Sequence, residues 1–367
     1  MKIPFFDYPR LFLDKKDDYM NIFSDVASRG AFIMQNDVDI FEKNLSIFSS
    51  SKYAIGVGNA TDGLEISWMA LNLRQGDEVI CCSHTMLATA SAIKIAGGIP
   101  IPVEIGDDNL IDPDAVEDAI SSRTVGIMPT QLNGRTCDME RIMQIANKYK
   151  LYVVEDAAQA LGSKFKGKNA GTFGHSSAIS FFPAKVLGCF GDAGAILCQD
   201  ETIFDRAYQL HDHGRDKNGD VKSWGRNSRL DNLQAAILNF NLKSYEKVIE
   251  RRREIASKYC SKLSILEELK LPESPVENSD HFDVFQNYEI VAKRRDELQK
   301  HLRENGIGTL IQWGGKAIHQ WEYLGFNLHL PKSEAFFKEC IMIPMNMFIS
   351  NEDIDYICQK IIEFYRK

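Results

Sequence analysis

Short apolar runs alternate with helix-length segments between about residues 50 and 200, and this alternation limits the folds open to the chain. Each run has five to seven residues and lies between glycine, proline or aspartate residues, as buried parallel strands do. The intervening segments, such as 62–73 and 139–149, space their apolar residues along one helical face. The alternation predicts an α/β fold with a mostly parallel central sheet. The predicted strands are YAIGVG (53–58), EVICC (78–82), IPIPVEI (99–105), TVGIMPT (124–130) and LYVVED (151–156).

The pattern changes after about residue 230, where short strands mix with helices. This mixture is typical of a smaller α+β domain. We therefore expect a large domain over residues 1–245 and a small C-terminal domain over residues 246–367. Arg251, Arg252 and Arg253 fall on a long charged helix, where we expect a solvated face rather than a basic binding patch. The predicted elements are a strand at 285–291 and helices at 233–242, 245–259, 294–308 and 349–367.

Composition excludes several classes of protein. The 367 residues carry a net charge of −8, which argues against a nucleic-acid partner because that needs a basic face. Eight cysteines without a CxxC pair favour buried, reduced thiols, and His211 and His213 lack a third ligand in metal spacing. The N-terminus is broken by Asp7 and Pro9, and no apolar run approaches the ~18 residues of a membrane span. We expect a cytoplasmic protein without a metal, a membrane segment or a signal peptide.

A small-residue turn, GVGNATDG (56–63), follows the first predicted strand and opens a helix. Thr61 stands where a dinucleotide-binding fingerprint has its third glycine, so that fingerprint is absent. The free N–H groups at the start of a helix can still hold a phosphate. Simple capping of the helix is the alternative interpretation.

Two acids and a lysine complete a candidate site. Glu155 and Asp156 end an apolar strand, at the edge where open α/β sheets bind ligands. Lys185 follows about 29 positions later among small and apolar residues, where desolvation lowers the pKa of an amine and makes it nucleophilic. Taken singly, an acid could cap a turn and the lysine could lie at the surface. Together, a phosphate seat, a carboxylate and a desolvated lysine are the parts that pyridoxal phosphate requires.

Six motifs are spread over nearly the whole chain: NATDGL (59–64), GDEVI (76–80), LNGRTCDM (132–139), VVEDAAQALGSKFKGK (153–168), SFFPAKVLGCFGDAGAI (180–196) and NSRLDNLQAAIL (227–238). Together they resemble the motifs of the DegT/StrS-type nucleotide-sugar aminotransferases. The resemblance implies pyridoxal phosphate as cofactor, with pyridoxamine phosphate in the half-reaction. It implies the aspartate-aminotransferase fold, with a large cofactor-binding domain and a small C-terminal domain. It also implies a homodimer with shared active sites.

The resemblance also implies roles for individual residues. Lys185 matches the lysine that forms a Schiff base with the cofactor and then moves a proton. Asp156 matches the partner of the pyridine nitrogen, and Gln159 matches the side chain beside the phenolic oxygen. The other expected cofactor contacts are Ala60, Thr61 and Ser180 at the phosphate, Met86 on the ring, and Asn227 from the neighbouring subunit. The expected substrate contacts are Arg229, Gln312, Trp313 and His319.

The run after Lys185 resembles that of enzymes acting on 3-keto sugars. We therefore expect amino transfer from L-glutamate to a UDP- or dTDP-linked 3-keto sugar, giving a 3-amino sugar nucleotide for surface polysaccharides such as O-antigen. A 4-keto-sugar enzyme and a non-catalytic sensor are alternatives, whereas a sugar dehydratase would carry histidine in place of Lys185.

Three departures from the family pattern concern the ring and the sugar. Met86 replaces a ring-stacking aromatic residue, and His84 is a second candidate for that role. The segment Gln312-Trp313-Gly314 and Asn346 replace histidine-containing patterns that shape the sugar pocket in relatives. These changes bear on the choice of sugar.

Overall fold

The computed structural model describes residues 2–366, and strands and helices alternate through its first half. The strands are β1 (Tyr53–Val57), β2 (Glu78–Cys82), β3 (Ile99–Val103), β4 (Thr124–Met128), β5 (Tyr152–Asp156), β6 (Lys164–Phe165), β7 (Lys168–Asn169), β8 (Ser176–Ser180), β9 (Gly194–Cys198), β10 (Leu269–Lys270), β11 (His281–Phe282), β12 (Tyr288–Ala292) and β13 (Cys340–Ile343). The α-helices are α1 (Tyr8–Leu13), α2 (Lys16–Arg29), α3 (Asn36–Ser49), α4 (Ala60–Ala70), α5 (Leu87–Ile95), α6 (Pro113–Asp118), α7 (Met139–Tyr149), α8 (Glu201–His211), α9 (Asn232–Leu242), α10 (Tyr245–Leu263), α11 (Arg295–Glu304), α12 (Pro331–Glu339) and α13 (Asn351–Tyr365).

The central sheet has seven strands in the order β1-β9-β8-β5-β4-β2-β3. Strands β3, β2, β4, β5 and β8 pair in parallel, which confirms the predicted α/β class with a mostly parallel sheet. Parallel pairing does not hold for the first predicted strand. Strand β1 pairs antiparallel with β9, and β9 is also antiparallel to β8. Strand β9 is buried along its length and leads the chain back across the sheet after the Lys185 loop. The sequence analysis predicted no strand at this position.

Helix α4 is fixed against the sheet at both ends. It begins at Ala60 because the Asn59 side chain accepts a hydrogen bond of 2.9 Å from the N–H of Asp62. Farther along, the fully buried ring of Trp68 lies over β4, where a Cβ on Gly126 would overlap it. The helix therefore presents its N-terminus at a fixed point beside the end of β1.

The small domain contains the antiparallel sheet β10-β12-β13, covered by α10, α11 and α13. Its core includes the buried rings of Tyr259 and Tyr288. Ile3 belongs to this core and pairs with Ile307, so the N-terminal residues pack with the small domain although the sequence analysis grouped them with the large one. Helix α10 begins at Tyr245, and the boundary at that position stays a prediction.

The solvated face predicted for residues 251–253 is wrong for Arg252, which is 7% exposed. Its Nη1 donates to the carbonyl oxygens of Phe285 at 2.9 Å and Gln286 at 3.0 Å. Burial lowers the pKa of Arg252 to about 10, so the guanidinium is charged at neutral pH. The charged Arg252 side chain of α10 therefore points into the protein, where backbone carbonyl groups accept the hydrogen bonds that water would otherwise accept.

All eight cysteines are free and buried. Burial raises the pKa of the Cys81 thiol to about 12, which keeps it protonated and unreactive at neutral pH. Within residues 2–366, no helix combines the length and the apolar character that a bilayer crossing requires.

Candidate active site

A cavity of about 490 Å³ opens where β1, β2, β5 and β8 end. Ligands of open α/β sheets bind at this carboxyl edge because the loops and helix N-termini there converge. Leu310 and Met342 of the small domain also line the cavity, which therefore lies between the two domains. Of the predicted site positions, it is lined by Ala60, Thr61, Met86, Asp156, Gln159, Ser180, Lys185, Gln312 and Trp313.

Asp156, the last residue of β5, places a buried carboxylate in the cavity. The Thr89 hydroxyl donates to its Oδ2 at 2.6 Å, and the Ala158 N–H donates to its Oδ1 at 3.2 Å. Burial raises the pKa of Asp156, while the Thr89 and Ala158 hydrogen bonds and the charge of Lys185 oppose that rise. A buried carboxylate of this kind is stabilised most by a cation placed against it.

Lys185 lies in the loop between β8 and β9 and lines the same cavity. Burial lowers the pKa of its amine to about 8, against the opposing effect of the Asp156 carboxylate. A sizeable fraction of the amine is therefore neutral near pH 8 and able to attack an aldehyde.

The N-terminus of α4 forms the phosphate end of the cavity. Ala60 and Thr61 lie in the first helical turn, whose N–H groups have no preceding helical carbonyl to bind. Strand β9 comes so close here that a Cβ on Gly194 would lie 2.7 Å from the Ala60 nitrogen. Ser180, the last residue of β8, also lines this cavity. Backbone amides, a helix dipole and a hydroxyl suit a phosphate dianion.

Gln159 is held by an asparagine network that the sequence analysis did not single out. Its Oε1 accepts a hydrogen bond of 2.9 Å from the N–H of Asn133. The Asn133 Oδ1 accepts from Asn287 at 2.8 Å and from Gln312 at 3.0 Å, and its Nδ2 donates to Glu289 at 2.7 Å. Asn133 has φ 55°, a left-handed conformation that asparagine tolerates better than most residues. This network joins both domains beside the cavity.

Met86 lines the cavity and is 48% exposed, whereas His84 is buried outside it. The His84 ring centroid lies 4.4 Å from that of Phe336 and 5.6 Å from that of Trp313. Of the two predicted ring-stacking candidates, only Met86 is placed at the cavity. Trp313 lines the cavity and packs between it and His84.

Three predicted positions lie outside this cavity. The backbone of Asn227 pairs with that of Asp212 in the segment between α8 and α9, and the Arg229 guanidinium lies 3.0 Å from the Asp212 carboxylate. His319 is 4% exposed, and its Nε2 lies 3.2 Å from Glu334. The structure does not bring His319 to the cavity, because helix α12 holds its ring through Glu334.

Glu155 and Asp156, the two acids at the end of β5, lie on opposite faces of the sheet, because successive side chains of a strand point to opposite sides. Glu155 is fully buried away from the cavity, and its carboxylate accepts from the Gln131 side chain at 2.8 Å. It also accepts hydrogen bonds from the backbone N–H groups of Gly171, Phe173 and Gly174. Glu155 therefore anchors a loop, and Asp156 is the acid available to a ligand.

The residues present fit pyridoxal phosphate. The α4 N-terminus suits its phosphate, the buried Asp156 carboxylate suits a protonated ring nitrogen, and Lys185 suits its aldehyde. The approach of Gly194 to Ala60 shows that this corner is shaped to leave the helix amides accessible.

Fold and cavity together define an α/β enzyme of amino-group transfer. The chain belongs to the DegT/DnrJ/EryC1/StrS aminotransferase family, whose sequence profile matches residues 14–362. The predicted family and enzyme class are thereby confirmed.

Three relatives illustrate the match. The chain is 36% identical over 368 residues to the dTDP-3-amino-3,6-dideoxy-alpha-D-galactopyranose transaminase of Aneurinibacillus thermoaerophilus, covering 98% of each. It is 36% identical over 372 residues to a pleiotropic regulatory protein of Geobacillus stearothermophilus, covering 100% of this chain and 99% of that one. The crystal structure of NtdA from Bacillus subtilis, with bound cofactor PMP, matches with a TM-score of 0.91 at 31% identity, covering 100% of this chain and 86% of that one. Pyridoxal phosphate is the cofactor, as predicted.

Proposed function

We propose that the chain transfers the amino group of L-glutamate to a 3-keto sugar linked to UDP or dTDP. The products are 2-oxoglutarate and a 3-amino sugar nucleotide. The reaction takes place in the cytoplasm, and the amino sugar is a precursor of surface polysaccharides. The observation that carries the proposal is the Lys185 amine, its pKa lowered to about 8, in one cavity with the buried Asp156 carboxylate and the α4 N-terminus.

When bound, the cofactor supplies an electron sink for negative charge beside the transferred nitrogen. The chain contributes position and proton chemistry. Lys185 holds or releases a proton near neutral pH, as a general acid and base must. Asp156 would keep the ring nitrogen of the bound cofactor protonated, and the N–H groups of Ala60 and Thr61 would hold its phosphate.

The sugar-binding part of the proposal rests on the small domain. Gln312 and Trp313 of the small domain line the cavity, and the Gln312 side chain donates to the Asn133 Oδ1 at 3.0 Å. A 3-keto acceptor is supported by the run from Val186 to Gly194 and by the named activity of the Aneurinibacillus relative. A 4-keto acceptor is the alternative within the same enzyme class.

The proposal includes a homodimer with shared sites. Asn227 and Arg229 lie outside the cavity of their own chain, in a segment whose Trp224 is 96% exposed. A second subunit gives this exposed segment a partner and lets Asn227 reach the phosphate of the neighbouring site.

The test uses 3-amino and 4-amino nucleotide sugars, which are the stable products of the reaction. The pyridoxal form is mixed with each sugar without 2-oxoglutarate, and loss of the yellow absorption band is followed. Loss with a UDP- or dTDP-linked 3-amino sugar alone supports the proposal. Loss with a 4-amino sugar alone contradicts the 3-keto assignment but keeps the class of enzyme. A protein that stays colourless with added cofactor contradicts the whole proposal and returns the sensor alternative.

A further inference from the structure

One side chain of the small domain binds the backbone on both sides of Lys185. The Gln286 Nε2 donates to the carbonyl oxygen of Ala184 at 2.8 Å. The N–H of Val186 donates to the Gln286 Oε1 at 2.9 Å. Gln286 is 5% exposed and lines the cavity, so water does not replace these bonds freely. The two peptide groups that flank Lys185 are therefore held by a single amide.

The backbone of Gln286 is itself firmly held. Arg252 donates to the carbonyl oxygens of Phe285 and Gln286, and it does so from the buried face of α10. On the other side the backbone of Gly134 packs so close that a Cβ there would lie 2.6 Å from the Gln286 nitrogen. The amide that holds the Lys185 loop is thus fixed from two directions, and hydrogen bonds to a charged donor are stronger than neutral ones.

A lysine side chain has four rotatable bonds, so the position of its amine depends on how well its backbone is fixed. Elsewhere in this loop, the Lys185 N–H donates to the carbonyl oxygen of Phe182 at 2.8 Å, and the Asn241 side chain donates to that of Gly188 at 3.2 Å. We infer that Gln286 is a positioning residue, which sets the backbone orientation from which the Lys185 amine reaches the reacting atoms. This inference rests on the proposed role of Lys185.

The chain provides a matched control in the same loop. Gln234 binds the backbone of Phe190 in the same two-sided way, accepting from its N–H at 3.0 Å and donating to its carbonyl oxygen at 3.1 Å. Its pair of bonds lies five residues beyond Lys185 and outside the cavity. Loss of the Gln234 bonds loosens the loop without releasing the peptides next to the lysine.

The experiment compares Gln286→Met with Gln234→Met, since methionine keeps the length of the side chain and removes both hydrogen bonds. The readouts are the rate at which apoprotein forms the yellow, borohydride-reducible band with pyridoxal phosphate, and the pH midpoint of that band. Single-turnover rates with L-glutamate complete the set. We expect Gln286→Met to lower both rates by about 10- to 100-fold, as a misplacement near 1 Å does, and to move the pH midpoint. We expect Gln234→Met to stay within about 2-fold of wild type, because its bonds do not orient the lysine.

A Gln286→Met variant with the native circular dichroism spectrum and wild-type rates and midpoint overturns the inference. Should that variant not fold, Gln286→Glu keeps the acceptor for Val186 and loses the donor for Ala184. An intermediate rate in Gln286→Glu supports the positioning role of Gln286, and a wild-type rate overturns it.

The Lys185→Ala variant distinguishes a failure of the Gln286 inference from a failure of the proposed function. If Lys185→Ala still forms the reducible band, the role of Lys185 falls; if it does not, only the positioning role of Gln286 is in question.

Discussion

The hydroxyl of Thr89 donates a hydrogen bond of 2.6 Å to the Oδ2 of Asp156. Thr89 in turn lies 2.6 Å from the Thr85 hydroxyl, which lies 2.8 Å from that of Thr130. The carboxylate that lines the cavity therefore ends a chain of buried hydroxyl groups. Because the hydrogen bond favours the ionised form, Thr89 counteracts the rise in the pKa of Asp156 that burial causes.

Thr89→Val removes this hydrogen bond and keeps the shape of the side chain. We expect the pKa of Asp156 to rise further, and the dissociation constant for pyridoxal phosphate to increase about tenfold near neutral pH. The loss grows as the pH falls, because more Asp156 is then protonated. Fluorescence titration of apoprotein at several pH values measures it. Thr89→Ser keeps the hydroxyl and is the control; equal affinities for the two variants would contradict the argument.

The Lys185 amine becomes nucleophilic as the pH rises through about 8, where its lowered pKa lies. In apoprotein, we expect labelling of Lys185 by an amine-reactive reagent to follow this midpoint. Asp156→Asn removes a charge that stabilises the ammonium form, so the midpoint moves to lower pH. Mass spectrometry measures the labelling, with the exposed Lys94 as internal reference. A midpoint that stays fixed or rises in Asp156→Asn speaks against the coupling.

Mixed dimers test the proposed sharing of active sites between two subunits. Lys185→Ala and Asn227→Ala are purified separately, and then refolded together or exchanged. A mixed dimer has one site with the wild-type Lys185 of one subunit and the wild-type Asn227 of the other. We expect activity above the mean of the parent proteins, since neither parent contains an intact site. Activity equal to that mean places Lys185 and Asn227 in independent sites.

Trp313 packs between the cavity and His84, and its φ of 47° lies in the left-handed region. We expect Trp313→Ala to raise KM for the nucleotide sugar by about tenfold through loss of packing area. We expect the half-reaction with L-glutamate to stay near its wild-type rate, because the residues proposed to hold the cofactor belong to the large domain. Steady-state and single-turnover kinetics separate the two effects. Trp321→Ala, outside the cavity, is the control, and an equal change in both half-reactions would contradict a role in sugar binding.

Arg252→Met leaves the carbonyl groups of Phe285 and Gln286 buried without their donor. We expect the free energy of unfolding to fall by about 2 to 4 kcal/mol, the usual effect of stranding buried polar groups. Denaturant unfolding followed by circular dichroism measures this loss. Lys247→Met changes an exposed residue of the same helix and should stay within about 0.5 kcal/mol of wild type. Similar losses in both variants would mean that helix α10 is sensitive to any change of charge.

The local pattern of the sequence was enough to predict most of the fold. Apolar runs and turn residues predicted β2 and α7 with their observed bounds. Strand β2 is a short apolar run that follows Gly76 and Asp77, and α7 has a helical period and begins after the capping residue Asp138. The direction of β9 could not be predicted in this way. It depends on how a glycine-rich loop turns above the sheet, and that geometry has no period.

Some residues of the candidate site could likewise be predicted from the sequence, and others could not. Asp156 and Lys185 carry chemistry that their surroundings in the sequence reveal, and the structure brings them to one cavity. Thr89 and Gln286 act through hydrogen bonds to residues 67 and about 100 positions away, and a lone threonine or glutamine carries no local signal. The burial of Arg252 could not be predicted for a related reason. Three consecutive arginines look equally solvated in the sequence, and only the packing of the helix shows which one is buried.

Glu155 and Asp156 are joined by one peptide bond, yet they face different parts of the molecule. A change at Glu155 strands the N–H groups of Gly171, Phe173 and Gly174, so its first consequence is a lower amount of folded protein. A change at Asp156 leaves that loop anchored, and we expect it to lower turnover per molecule. Selection for abundance and selection for catalytic rate therefore act on two adjacent codons, and a mutational scan that scores expression and activity separately would assign them to opposite categories.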